Sequence, residues 1–137
     1  MLSAEEPGRG APVVAFSHVQ LRVSDVGTSA RWYKVVLGLV PFAEDLDIGY
    51  VALRHPEAKF VVVLTQGPAP REGTPELRRE ALDHLAFAVA DGEALATWAS
   101  HLTDVGIEHP GVVSEEGRPS LQLRDPDGVA VELVAPP

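Results

Sequence analysis

Two stretches of the chain alternate apolar and polar residues with the period of a half-buried strand. In one, Val19, Leu21 and Val23 alternate with His18, Gln20 and Arg22; in the other, Leu85, Phe87 and Val89 alternate with His84, Ala86 and Ala88. The two correspond: His18 and His84, Val23 and Val89, and Asp25 and Asp91 are each 66 residues apart, so the chain carries an internal repeat. After each strand the apolar period lengthens to that of a helix, through Val26, Ala30, Tyr33 and Leu37, and through Leu95, Trp98, Leu102 and Val105. Asp25 and Asp91 stand where a short carboxylate accepts from the free N–H groups of a first helical turn. Gly38 and Gly106 stand where a left-handed residue ends a helix. Each helix is expected to pack on the sheet of its own copy through its apolar stripe.

Three short strands complete each copy, over 39–44, 48–54 and 60–65 in the first and 108–113, 120–124 and 129–134 in the second. Asp125-Pro126-Asp127-Gly128 is a turn signal between the last two. The order is β-α-β-β-β twice, which predicts one α+β domain over 14–135 made of two βαβββ modules, 14–66 and 82–135. Pro68, Pro70, Gly73 and Pro75 mark 67–81 as the linker, and the Gly-, Pro- and Glu-rich stretch 1–13 reads as a flexible tail.

Composition narrows the function classes. At 137 residues a single domain buries roughly two-thirds of the surface its unfolded chain exposes. No apolar run approaches the roughly 20 residues needed to span a bilayer, and the opening residues lack a basic start followed by an apolar stretch, so no secretory signal is expected. Cysteine is absent, which removes disulfides, thiolate ligands and cysteine nucleophiles and suits a cytoplasmic protein. A net charge of −9 with 11 scattered basic residues argues against nucleic acid as a partner. A small-molecule substrate and a homodimer are the expected partners.

Strand parity places His18, Gln20 and Arg22, and His84, Ala86 and Ala88, on the faces away from the helices. On the final strand Val129, Val131 and Leu133 form the apolar face and leave Glu132 on the other. A single strand histidine is usually structural, but two at equivalent repeat positions beside a carboxylate form a ligand set. If the copies meet with these faces together, His18, His84 and Glu132 converge on a shared cleft. Imidazole and carboxylate suit Fe(II), Mn(II), Zn(II), Ni(II) or Co(II), and two histidines with one carboxylate leave coordination positions open. Gln20, Tyr50, Val63, Thr65 and Gln122 are expected to line the cleft. His109 is the candidate general base, against the default of a loop histidine. His55 and His101 read as solvated, and Trp32 and Trp98 as packing residues.

The segment His18-Val19-Gln20-Leu21-Arg22-Val23-Ser24-Asp25, followed by Trp32-Tyr33 and Val36-Leu37-Gly38, resembles the first module of the vicinal oxygen chelate superfamily. This is the glyoxalase, bleomycin-resistance and ring-cleaving dioxygenase group. Leu82-Asp83-His84-Leu85-Ala86-Phe87 and Asp125-Pro126-Asp127-Gly128-Val129-Ala130-Val131-Glu132-Leu133 resemble the second module. The resemblance covers about residues 14 to 135. It implies paired βαβββ modules around an open, U-shaped cleft, with the ligands of one divalent metal on His18, His84 and Glu132. The function it implies is a metal-dependent lyase, isomerase or dioxygenase (an oxidoreductase) acting on a molecule that chelates through vicinal oxygens. The alternative is a metal-free binding or antibiotic-sequestering protein of the bleomycin-resistance kind.

The sequence departs from particular branches. Val63 occupies the place of the fourth ligand found in glyoxalase I and methylmalonyl-CoA epimerase, and valine cannot ligate. Gln122 replaces the tyrosine of extradiol dioxygenases, and Val113, Ser114 and Glu115 stand where their acid–base histidine falls. The C-terminal basic and hydroxyl residues of fosfomycin-modifying enzymes have no counterpart in Leu133-Val134-Ala135-Pro136-Pro137.

Overall fold

The structure, a computed structural model, describes residues 16–67, 82, 84–115 and 117–136. The expected tail 1–13 lies outside the described residues, as do Asp83 and all of the linker except Gly67. The first module runs β1 (His18–Val23), α1 (Val26–Leu37), β2 (Val40–Asp45), β3 (Tyr50–Arg54) and β4 (Val61–Gln66). The second runs β5 (His84–Ala88), α2 (Gly92–Asp104), β6 (Val113–Glu115), β7 (Arg118–Arg124) and β8 (Ala130–Val134). This is the expected α+β arrangement of two βαβββ modules. Each forms a four-stranded sheet, in the orders β1-β4-β3-β2 and β5-β8-β7-β6. The first strand of each module pairs parallel with the last, and the remaining pairings are antiparallel.

Local chemistry explains the helix limits. The Asp25 carboxylate accepts from Thr28 N at 2.8 Å and the Asp91 carboxylate from Ala94 N at 2.8 Å. These bonds satisfy donors that the first turn otherwise leaves free. The bond to Thr28 holds the Asp25 carboxyl below its usual range. Gln66 extends the first cap, its Oε1 accepting from Val26 N at 2.9 Å while its Nε2 donates to Ser24 O at 2.6 Å. Gly38 ends α1 at φ 74°, and Gly106 follows α2 at φ 78°.

One strand differs from expectation. Residues 108–112 do not pair, and β6 begins at Val113. Pro110 has no N–H to give a ladder, Gly111 takes φ 84°, and the Gly111 N–H donates to the ring of His109 at 3.1 Å. The segment is consumed by its own turn.

The two modules share one core. Leu21, Val23, Tyr33, Leu53, Val62 and Leu64 belong to the same buried cluster as Leu95, Leu102, Leu121, Val131 and Leu133. All of these lie on α1, on α2 or on the helix-side faces of the sheets. α1 packs on β2, β3 and β4, and α2 on β7. The modules meet through these same faces: the Phe60 and Phe87 rings lie 5.0 Å apart, and His101 Nε2 meets Val36 O at 3.0 Å. His101 is therefore a partly buried bridge rather than a solvated residue. His55 also has partners, its Nδ1 accepting from Glu57 N and Ala58 N.

A polar cluster completes the junction. The Tyr33 hydroxyl donates to Asp125 Oδ2, and Asp127 accepts from Ser24 N at 3.1 Å. Burial, with the charge of Asp125 beside it, pushes the Tyr33 phenol far above its usual range. With the helix faces joined inside one chain, the opposite face of each sheet stays open.

Candidate metal centre

On β8, Val131 and Leu133 are buried in the core. Alternation then forces Glu132 onto the open face. The ladder sets its neighbours: Glu132 registers with Ala86 on β5 and with Gln122 on β7, and one row away His84 registers with Ala130, which registers with Arg124. Ala86 and Ala130 are small, so the four polar side chains stand around a low floor.

His84 Nε2 and Glu132 Oε2 lie 3.5 Å apart, with side-chain exposures of 44% and 22%. A charge-assisted hydrogen bond would bring them to about 2.7–2.9 Å. Two donors each about 2.1 Å from one cation would instead stand roughly 3.0–3.4 Å apart, from a right angle to a tetrahedral one. The observed spacing is nearer the second, so the pair fits two adjacent positions around a divalent ion. An open cavity of about 1360 Å³ lies in front of them, bordered also by Gln122, Arg124 and His109.

His109 has both ring nitrogens engaged. The Gly111 N–H donates to Nδ1, which puts the ring proton on Nε2, 3.3 Å from Thr103 Oγ1. In this state it can donate; to accept a proton it must first release Gly111.

His18 heads β1 on the open face of the other sheet, with the Ser17 hydroxyl 2.9 Å from its Nδ1. That contact braces the ring and leaves Nε2 for an outside ligand, the arrangement metal-binding histidines commonly adopt. Among the described residues, however, no group of three His, Cys, Asp or Glu side chains could hold a metal. The structure brings His84 and Glu132 together and does not bring His18 to them. The reason is the junction: the modules use their helix faces to join, so the two open faces do not close on each other within one chain.

The remaining expected lining residues share the first sheet's open face with His18. Gln20 registers with Val63, and Thr65 registers with Tyr50. Val63 is buried at 6% exposure, which makes it floor rather than contact, and Thr65 Oγ1 points to Leu21 O at 3.5 Å. Arg124, on the cavity rim, shares the strand parity of Gln122, a signal already present in the sequence.

Comparison with known proteins agrees with the paired-module fold. A family model described as the Glyoxalase/Bleomycin resistance protein/Dioxygenase superfamily matches residues 15–133. Among solved structures, a glyoxylase/bleomycin resistance protein/dioxygenase domain from Frankia sp. EAN1pec is 23% identical with a TM-score of 0.76, covering 92% of this chain and 100% of that one. Lactoylglutathione lyase from Agrobacterium tumefaciens is 20% identical with a TM-score of 0.72, over 90% and 95% of the two chains. A virulence protein from Salmonella typhimurium is 22% identical with a TM-score of 0.63, over 90% and 98%. At these identities the likeness is one of fold. No curated protein matches the sequence.

Proposed function

Because the chain belongs to the glyoxalase/bleomycin resistance protein/dioxygenase superfamily, we propose that it is a divalent-metal-dependent enzyme. Its substrate is a small molecule that chelates the metal through vicinal oxygens, and the reaction is of lyase, isomerase or dioxygenase type. The observation that carries this reading is the approach of His84 Nε2 to Glu132 Oε2, at 3.5 Å, over the open cavity of the second module.

His84 and Glu132 would hold two positions of an iron, manganese, zinc, nickel or cobalt ion, and His18 a third. His18 comes from a second copy of the chain. The helix faces are already spent inside each copy, so the open sheet faces are what two copies have left to offer each other. A two-fold dimer in which the first sheet of one copy meets the second sheet of the other would put His18 of one copy opposite His84 and Glu132 of the other, twice. Held there, an ion of this kind would supply Lewis acidity toward a substrate oxygen or, if it were iron, the capacity to activate O2.

The chain's own side chains orient the substrate. Gln20 and Gln122 offer amides that hydrogen-bond without ionising, Tyr50 and Thr65 stand in one row on the same face as Gln20, and Val63 supplies apolar floor. His109 is the proposed proton-transfer residue, entering as a donor through Nε2 and as a base once Gly111 is released. The lack of cysteine supports a cytoplasmic setting, and no helix of the described residues is long and apolar enough to cross a membrane.

Elemental analysis of purified protein, before and after a chelator, tests the reading. Wild type should carry about one metal per chain, and His84→Ala should carry none. Metal-free wild type that cannot be reloaded favours the sequestering, bleomycin-resistance type of function instead.

A further inference from the structure

The open faces of the two sheets carry a matched pair of arginines. In the first sheet Arg54 registers with Val61, and Val61 with His18. In the second, Arg124 registers with Ala130, and Ala130 with His84. Each arginine is thus two strands from the histidine of its own module, about 10 Å between Cα atoms. Both are exposed, and both are braced. The Arg54 guanidinium carbon lies 5.9 Å from the centre of the Phe42 ring, and Arg124 Nη1 donates to Gly128 O at 3.1 Å.

Neither arginine forms an ion pair with a carboxylate of the described residues, although the protein has 20 acidic residues to 11 basic ones. A guanidinium offers five N–H donors in a planar fork suited to carboxylate and phosphate. Arg124 spends one on Gly128 and keeps the others. Of the carboxylates that border the cavity with it, Glu132 is assigned to the metal and Glu108 belongs to the loop after α2. In a strongly acidic molecule, open guanidiniums at equivalent places beside both histidines select for negative charge.

We infer that the substrate is an organic anion, whose carboxylate or phosphate, separate from the chelating oxygens, is received by Arg124 in the cavity with Arg54 as its counterpart on the other module. This rests on the metal-site reading above and adds the substrate class to it.

Catechol, 3,4-dihydroxybenzoate and 3,4-dihydroxyphenyl phosphate present the same two oxygens to a metal and differ in remote charge. Calorimetric titration of the full-length, manganese-loaded protein with each is the test. At least one anion should bind roughly tenfold to a hundredfold more tightly than catechol, and the order of the two tells carboxylate from phosphate. Arg124→Gln should remove most of that preference and Arg54→Gln part of it. Arg31→Gln, an equal change of charge on the exposed side of α1, should leave it intact. Metal stoichiometry should be the same in all three variants, and chelator-treated wild type should keep the preference at weaker affinity. Catechol binding as tightly as both anions, or a preference that survives the double Arg54→Gln, Arg124→Gln change, overturns the anion assignment while the metal reading stands. Wild type that takes up no metal and favours neither anion overturns both.

Discussion

The Tyr33 hydroxyl donates to Asp125 Oδ2 across 2.9 Å, and this bond ties the first module's helix to the last turn of the second. Both residues are buried, at 0% and 4% exposure. Asp125 Oδ1 accepts from Asp127 N and Val129 N at 2.9 and 2.8 Å. Loss of solvent raises the Asp125 carboxyl above its usual range, against the pull of the Val129, Tyr33 and Asp127 bonds. Tyr33→Phe leaves Oδ2 without that partner and should cost about 1–3 kcal/mol of stability. The sign with pH follows from linkage. Between the unfolded value and the raised folded value the native state holds more protons, so stability falls as pH rises through that window. Removing the tyrosine donor widens the window. Urea unfolding should therefore show a larger deficit for the variant at pH 8 than at pH 4. Equal stability of variant and wild type at both values contradicts the account.

Gly49 tests the turn that delivers Tyr50 to the open face. It takes φ 71°, and a Cβ there would overlap the Gln66 side chain, which caps α1. Gly49→Ala should lose roughly 2 kcal/mol or more, combining a left-handed alanine with overpacking. Gly38→Ala, at φ 74° with open space around it, should lose only about 1–2 kcal/mol. Thermal melts of the two variants give the comparison, and equal losses would show that the Gln66 contact is unimportant.

A shared site makes a distinctive prediction for mixtures. His18→Ala and His84→Ala should each bind metal poorly. If two copies complete each other, an equal mixture that is unfolded and refolded regains about one site in four, because a mixed dimer keeps one intact set. If each chain holds its own triad, the mixture regains nothing. Metal content after gel filtration distinguishes the two.

Metal removal should also register as stability. A ligand at about a hundredfold excess over its Kd adds about 2.7 kcal/mol to the folded state. Chelator should therefore lower the melting temperature of wild type by several degrees. It should leave His84→Ala unmoved, and His109→Ala should respond as wild type does.

Features that depend on near neighbours were legible in the sequence. Asp25 and Asp91 cap their helices because a cap needs only the next three residues, and Glu132 faces outward because Val131 and Leu133 face the core. Features that depend on how the modules dock were not. His101 finds Val36 O 65 residues away, and Asp125 finds Tyr33 92 residues away, so each read as an ordinary helix or turn residue. The position of His18 relative to His84 has the same origin: parity assigns each to an open face, but the choice of which faces meet lies in the junction of Phe60, Phe87, Tyr33 and Asp125. The shift of β6 was the exception. Pro110 and Gly111 are local signals against a strand over 108–112, and they outweigh the apolar residues Ile107, Val112 and Val113 around them.

The most direct test is diffraction from crystals of the manganese-loaded protein, recorded at the metal edge. One anomalous peak per chain is expected, bonded to His84 Nε2 and a Glu132 carboxylate oxygen, with His18 of a second copy as the third protein ligand. A peak elsewhere, or an occupied site that His18 does not reach, contradicts the shared site.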